Sequence, residues 1–247
     1  MPKIRGKVTF DHVTFAYDET KTILKDVSFT VNPGESVALV GPTGAGKSTI
    51  VNLISRFYNV NDGKVLIDDQ DIADVTIHSL RAQMGIMMQD SFIFSGTIAD
   101  NIRYGKLDAT QKEIEKAGKI VCADPFIREM PKGYETQVRE RGSMLSQGQK
   151  QLISFARTLL CDPAILILDE ATSSIDVQTE KALQTGLNRM LKGRTSFIIA
   201  HRLSTIRGCD KIMYIDDGGI AEAGTHEELM KKKGRYYKLY TAQKSLH

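Results

Sequence analysis

The sequence predicts an α/β fold: a phosphate-loop core, an N-terminal antiparallel β subdomain, and an inserted α-helical subdomain at roughly residues 90 to 160. Three stretches carry that prediction. Gly41-Pro42-Thr43-Gly44-Ala45-Gly46-Lys47-Ser48-Thr49 fits the spacing G-x-x-x-x-G-K-[ST] between an apolar strand pattern and a helical one. Residues 7 to 31 alternate apolar and polar, as strands with one buried face do. Ala164 to Leu168 is apolar throughout, as in a central parallel strand buried on both faces.

In chain order, the alternation runs through Val8, Phe10, Val13, Phe15 and Tyr17, then Leu24, Val27, Phe29 and Val31. The turn Asn32-Pro33-Gly34 leads into a short buried strand, Glu35 to Val40. Beyond the glycine-rich loop, Ile50, Val51, Leu53, Ile54 and Phe57 recur at helical spacing. Val65 to Asp68 follows the Asn61-Asp62-Gly63 turn as a strand, and Leu80 to Met88 holds another that ends at Gln89. From about Ala109 to Met130 the pattern is helical; a second helix runs from Ser146 to about Leu160, stopped by Pro163. A helix from Val177 to Leu191 and a strand from Thr195 to Ala200 come next. Strands flank Asp216-Asp217-Gly218-Gly219, and Thr225 with Glu228 makes a capping box for a last helix. The basic run Lys231 to Arg235 is expected to be a solvated helix end.

At 247 residues the chain has room for one large domain or two small ones. Hydrophobic content of 41% and charged content of 26% are ordinary for a soluble globular protein. A formal charge of +3 is too small to argue for nucleic acid, and no nucleic-acid partner is expected. No run approaches the ~18 apolar residues that a membrane span needs. Cys122, Cys161 and Cys209 are scattered without metal or disulfide spacing, and each is expected to be a small buried hydrophobe in a reducing compartment.

The chemistry follows from residue type. Glycines at 41 and 46 let the backbone wrap with its N–H groups inward, at φ values that a side chain resists. Lys47 supplies a compact positive charge for the outer phosphates, and the Ser48 hydroxyl can ligate Mg²⁺. The helix that follows points its N-terminus at the phosphates, so the loop implies a nucleoside triphosphate. Ile165-Leu166-Ile167-Leu168-Asp169-Glu170 delivers two carboxylates to a strand's C-terminal edge, where open α/β sheets bind ligands. Asp169 would hold Mg²⁺ directly or through water, and Glu170 could orient and deprotonate the attacking water. In Leu145-Ser146-Gln147-Gly148-Gln149, Ser146 and Gln149 form a capping box, which leaves Gly148 unexplained. A helix start with a hydroxyl and bare backbone also accepts a phosphate.

Together these motifs resemble the nucleotide-binding domain of ATP-binding-cassette transporters, over nearly the whole chain and in the expected order. Leu145 to Gln149 is similar to the family's L-S-G-G-Q signature, with Gln147 in place of a glycine. The resemblance implies a P-loop NTPase core and an ATPase that uses ATP and Mg²⁺. Tyr17 sits where the family stacks an aromatic on adenine; the alternative is a strand core residue beside Phe15. Gln89 resembles the glutamine that reaches Mg²⁺ and the attacking water. His201 resembles the histidine at the γ-phosphate, although a lone His at a strand end is otherwise structural. Ser173-Ser174-Ile175-Asp176 resembles the segment that crosses the dimer interface.

The resemblance further implies a second nucleotide-binding domain, identical or not, paired head to tail. Ser146, Gly148 and Gln149 would then face the partner's ATP. The stretches Asp90 to Ile98, Glu140-Arg141-Gly142 and Ala200 to Thr205 resemble the export branch, multidrug and lipid exporters among them. Glu140 there lies in a segment that touches the membrane domain's loops. Exporters usually carry that domain ahead of this one, so the expectation is an excised domain, residues 1–247, working at the cytoplasmic face of a membrane. A soluble cassette ATPase acting on DNA or ribosomes would carry coiled-coil insertions or tandem cassettes. A degenerate cassette that only binds ATP would lack Glu170.

Overall fold

The computed structural model describes the chain except residues 19, 89–90, 170–176, 201 and 245–247. Val8–Ala16 (β1) and Thr22–Val31 (β2) are antiparallel, with Phe10 opposite Phe29 and their rings stacked at 4.5 Å. Ser36–Val40 (β3) is buried at every residue and leads to Lys47–Ile54 (α1). Asp62–Ile67 (β4) pairs antiparallel with the other side of β1, and Gln70–Asp71 (β5) extends the sheet beyond it.

Helix α1 ends before Phe57, because Arg56 turns the chain at φ 50 and leaves Phe57 exposed. The strand expected from Leu80 to Met88 is two elements. Ile77–Arg81 (α2) is capped by Thr76, whose hydroxyl accepts from Ser79 N–H, and only Met84–Met87 (β6) is extended. The Thr76 cap starts a helix that takes in the first residues of that stretch.

Gly96–Thr97 (β7), Ile98–Arg103 (α3), Gln111–Ile120 (α4) and Asp124–Glu129 (α5) follow. The single helix expected from Ala109 to Met130 is therefore two, broken where Cys122 takes φ 63. Gln137–Val138 (β8) pairs with β7, and Gln147–Leu160 (α6) starts at Ser146. Ile165–Asp169 (β9), Val177–Leu191 (α7), Thr195–Ile199 (β10) and Leu203–Arg207 (α8) come next. Lys211–Asp216 (β11), Gly219–Gly224 (β12), His226–Lys232 (α9) and Arg235–Lys244 (α10) close the chain. The basic run is not just a solvated end: Lys233 turns at φ 51, and Arg235 opens α10 and pairs with Asp216.

The chain divides into two compact units. One comprises Met1–Met84, Ala164–Glu170 and Gly193–His247; the other comprises Gly85–Pro163 and Ala171–Lys192. The first holds the four-stranded sheet β2-β1-β4-β5 and the strands β12-β11-β3-β10-β9 of a mixed sheet, in that order. In that sheet β11, β3, β10 and β9 are parallel, and β12 returns antiparallel to β11. Its central strands have no exposed face, so their polar groups need partners. Buried Thr195 accepts from Gly34 N–H at 3.0 Å, and Ser36 donates to Asp210 at 2.6 Å.

In the second unit α6 packs against α3, α4 and α7. Helix α7 carries Gly186 mid-span because a Cβ there would lie 2.4 Å from the Val121 carbonyl oxygen. The cysteine expectation holds for Cys209 alone, which is buried. Cys122 is half-buried at its turn. Cys161 is exposed as a residue, with its thiol 2.9 Å from Gly105 O and pushed up in pKa by burial of the sulfur.

Candidate nucleotide-binding site

The loop from Gly41 to Gly46 is shaped by three left-handed glycines, with φ 137 at Gly41, 80 at Gly44 and 106 at Gly46. Gly41 is fixed by space as well as by φ. A Cβ there would lie 2.1 Å from the Ile215 carbonyl oxygen on β11. Gly46 is the N-cap of α1 and offers no side-chain cap, so the helix begins with bare backbone N–H groups. Such a terminus is an anion site by geometry and by dipole. Pro42, Thr43, Gly44 and Ser48 are exposed around it, and Ala45 N–H donates to Pro42 O at 3.2 Å.

Lys47 folds back over the loop. Its Nζ donates to the carbonyl oxygens of Gly41 and Pro42, each at 2.8 Å. Half-burial lowers the pKa of its ammonium, and the Asp169 carboxylate opposes that shift. The sheet explains why these two groups feel each other. Ile199 is the register partner of both Leu39 and Asp169, so Asp169 lies in the same row as the strand end that opens the loop.

Ser48 and Asp169 are hard oxygen donors of the kind Mg²⁺ takes, and that ion needs only one or two protein ligands beside phosphate oxygens. Among the described residues no group of three or more His, Cys, Asp or Glu stands together. Glu170 and His201, which directly follow Asp169 and Ala200, lie outside the described residues. So do Gln89 and the stretch Ser173 to Asp176.

Tyr17 lies just past the end of β1 and is 47% exposed, while Phe15 takes the core position. A strand-core role for Tyr17 is thereby disfavoured. Its hydroxyl is 3.1 Å from Thr49 Oγ1, a link over 32 positions that no sequence pattern announces. Thr49 itself is buried on α1. Tyr58, which sequence reasoning passed over, meets the Tyr17 ring at 4.9 Å.

In the second unit, Leu145 is buried and exposed Ser146 caps α6. Ser146 Oγ accepts from Gln149 N–H at 3.2 Å, and Gln149 Oε1 accepts from Ser146 N–H at 3.0 Å. Gly148 is buried in the first turn, and Gln147 lines a cleft with Ser91, Arg141 and Lys150. The backbone of Glu140 lies in a single 3-10 turn, Glu140–Gly142, in which Arg141 takes φ 60.

A buried strand, a left-handed glycine loop, an uncapped helix start and an acid in the same sheet row define a P-loop nucleotide-binding domain. A family profile described as ABC transporter matches residues 24–173, and the chain belongs to that family. What it supplies is the family's ATP-binding domain, an ATPase of the kind that exporters carry.

An uncharacterized ABC transporter ATP-binding protein of Bacillus subtilis is 54% identical over 96% of this chain and 39% of its own length. A probable multidrug resistance ABC transporter ATP-binding/permease protein of the same organism is 52% identical over 97% of this chain and 36% of its own. The solved structure of a bacterial Atm1-family ABC exporter with ATP bound superposes with a TM-score of 0.91 at 46% identity. That match covers 98% of this chain and 43% of the other. The chain thus spans about two fifths of the length of the relatives it matches.

Proposed function

We propose that the chain is the ATP-hydrolysing motor of an exporter, and that ATP-driven pairing with a second such domain drives a membrane domain at the cytoplasmic face. The observation that carries this reading is the shared sheet row of Leu39, Ile199 and Asp169, which sets an acid beside the cationic loop. The relatives, described as ATP-binding/permease proteins, support the membrane partner. Among the described residues no helix is long and apolar enough to cross a membrane, so that partner would come from another segment or chain.

In this reading the residues Gly41 to Thr49 cradle the phosphates, Lys47 neutralises the outer two, and Tyr17 stacks on the base. Ser48 and Asp169, with Gln89, would hold Mg²⁺, which would supply charge neutralisation for the phosphates. Glu170 accepts the proton of the attacking water, His201 contacts the γ-phosphate, and Ser146, Gly148 and Gln149 close on the partner's nucleotide. Hydrolysis would remove the phosphate that ties the pair, a ligand-driven population shift.

Glu170→Gln tests the whole reading. The amide keeps the shape and a hydrogen bond but cannot take a proton, so turnover should fall by on the order of 10²–10⁴ while ATP binding survives. The variant should accumulate as an ATP-bound dimer in size-exclusion chromatography with light scattering. Unchanged turnover would remove Glu170 from the base role. A hydrolysis-dead monomer at saturating ATP would reject the homodimer and leave a different partner half.

A further inference from the structure

Tyr17 is held at three points. Its hydroxyl meets Thr49 at 3.1 Å, and its ring meets Phe15 and Tyr58 at 4.9 Å each, with interplanar angles of 86° and 85°. Phe15 is core, but Tyr58 is 48% exposed, so packing of the interior does not account for its position. Tyr58 also rests on Phe15 at 5.8 Å, which makes a closed triangle of rings.

The segment that carries Tyr58 is anchored on both sides. Arg56 turns the chain at φ 50, and its guanidinium donates to the carbonyls of Ile72 and Val75 and to Asn59 Oδ1. Arg81 donates to the carbonyl oxygens of Ser55 at 2.9 Å and Arg56 at 2.8 Å. Asn61 then bridges to the end of β1: its N–H donates to Thr14 O at 3.1 Å, and its Oδ1 accepts from Ala16 N–H at 2.8 Å. The loop after α1 is thereby stitched to the residue just before Tyr17.

We propose that Tyr58 is a positioning residue for the nucleotide base, fixing the plane of the Tyr17 ring so that its open surface is preset for stacking. The proposal rests on the reading of Tyr17 as the base-stacking residue. A half-exposed tyrosine at a strand end is otherwise free to change rotamer, and binding must then order it. Two perpendicular rings and a hydroxyl bond to α1 remove that freedom beforehand. The bond to Thr49 also ties the base-stacking ring to the helix that faces the phosphates.

The experiment is calorimetric titration of the full chain with ATP and, separately, with inorganic tripolyphosphate, which has no base. Tyr58→Ala should weaken ATP binding roughly 2- to 13-fold, the contribution of one aromatic pair, and leave tripolyphosphate unchanged. Tyr58→Leu, which keeps apolar volume on Phe15 without an aromatic edge, should lose as much, and Tyr58→Phe should bind as wild type does. In a Tyr17→Ala background, Tyr58→Ala should cost nothing more.

Unchanged ATP affinity in Tyr58→Ala overturns the proposal, as does an equal loss for tripolyphosphate. A full additional loss in the Tyr17→Ala background also overturns it, because Tyr58 would then touch the base itself. If Tyr17→Ala alone leaves ATP affinity intact, the stacking role of Tyr17 fails first and the proposal falls with it.

Discussion

The Nζ of Lys47 lies 2.8 Å from the carbonyl oxygen of Gly41, so the first residue of α1 is bonded to the one that begins the glycine loop. A second bond, to Pro42 O at 2.8 Å, closes the same ring. Lys47→Ala removes both bonds and the only cation inside the loop. Tight ATP binding should be lost, because the outer phosphates would meet backbone dipoles without a compensating charge. Titration with Mg²⁺ present checks this, and near-normal affinity rejects the assignment of the loop.

Tyr17→Ala separates the two roles open to that ring. If it stacks on the base, ATP binding should weaken by roughly 1–3 kcal/mol with little change in the thermal midpoint. A variant that unfolds earlier but binds ATP as before shows that the contacts with Phe15 and Tyr58 are its whole purpose.

Ser146 can be asked whether it only caps α6 or also meets a phosphate. Ser146→Ala removes the cap and should cost about 0.5–2 kcal/mol of stability. Aspartate is as good a cap as serine, so Ser146→Asp should restore the thermal midpoint while placing a negative charge where the partner's γ-phosphate would sit. In the Glu170→Gln background, the aspartate variant is expected to stay monomeric with ATP. An ATP dimer that forms unimpaired would confine Ser146 to capping.

Glu113 gives a pH test of the second unit. Its carboxyl is pulled down to about 2 from 4.5, first by Lys106, whose Nζ lies 2.7 Å away, and then by the N–H and hydroxyl of Thr110. A carboxyl with a depressed folded pKa stabilises fully above its unfolded pKa, and that stabilisation is lost as pH falls through the folded one. The window is therefore pH 4.5 down to about 2. The thermal midpoint of Glu113→Gln should lie below that of the wild type at neutral pH, and the gap should close across this window. A gap that stays constant there would show that the charge on Glu113 contributes nothing.

Where local chemistry decided structure, the sequence was a sufficient guide. Val177–Leu191 and Gln147–Leu160 lie where their apolar period puts them, and Thr225 with Glu228 forms the expected box. The same signal went unread at Thr97 and Asp100, which cap α3 reciprocally. Leu80 was misplaced because Leu80, Ala82, Met84 and Ile86 alternate with Arg81, Gln83 and Gly85 as a strand would, which hid a five-residue helix. The break at Cys122 has no turn residue to mark it, since a cysteine rarely adopts φ 63. At the site, the loop and Asp169 were legible from spacing. The bond from Tyr17 to Thr49 and the wall made by Tyr58 were not, because both depend on how β1, α1 and the following loop fold together.

Helix α6 has a gripped end as well as a capped one. Near its C-terminus Arg157 reaches Asn101 O at 2.7 Å, Asn101 Oδ1 at 3.1 Å and Phe92 O at 3.0 Å, with its guanidinium 5.3 Å from the Phe94 ring. A helix of 14 residues is about 21 Å long and bends little over that span. The two ends are joined by one continuous rod, so a displacement imposed at Ser146 would be delivered through Arg157 to the strap from Phe92 to Asn101.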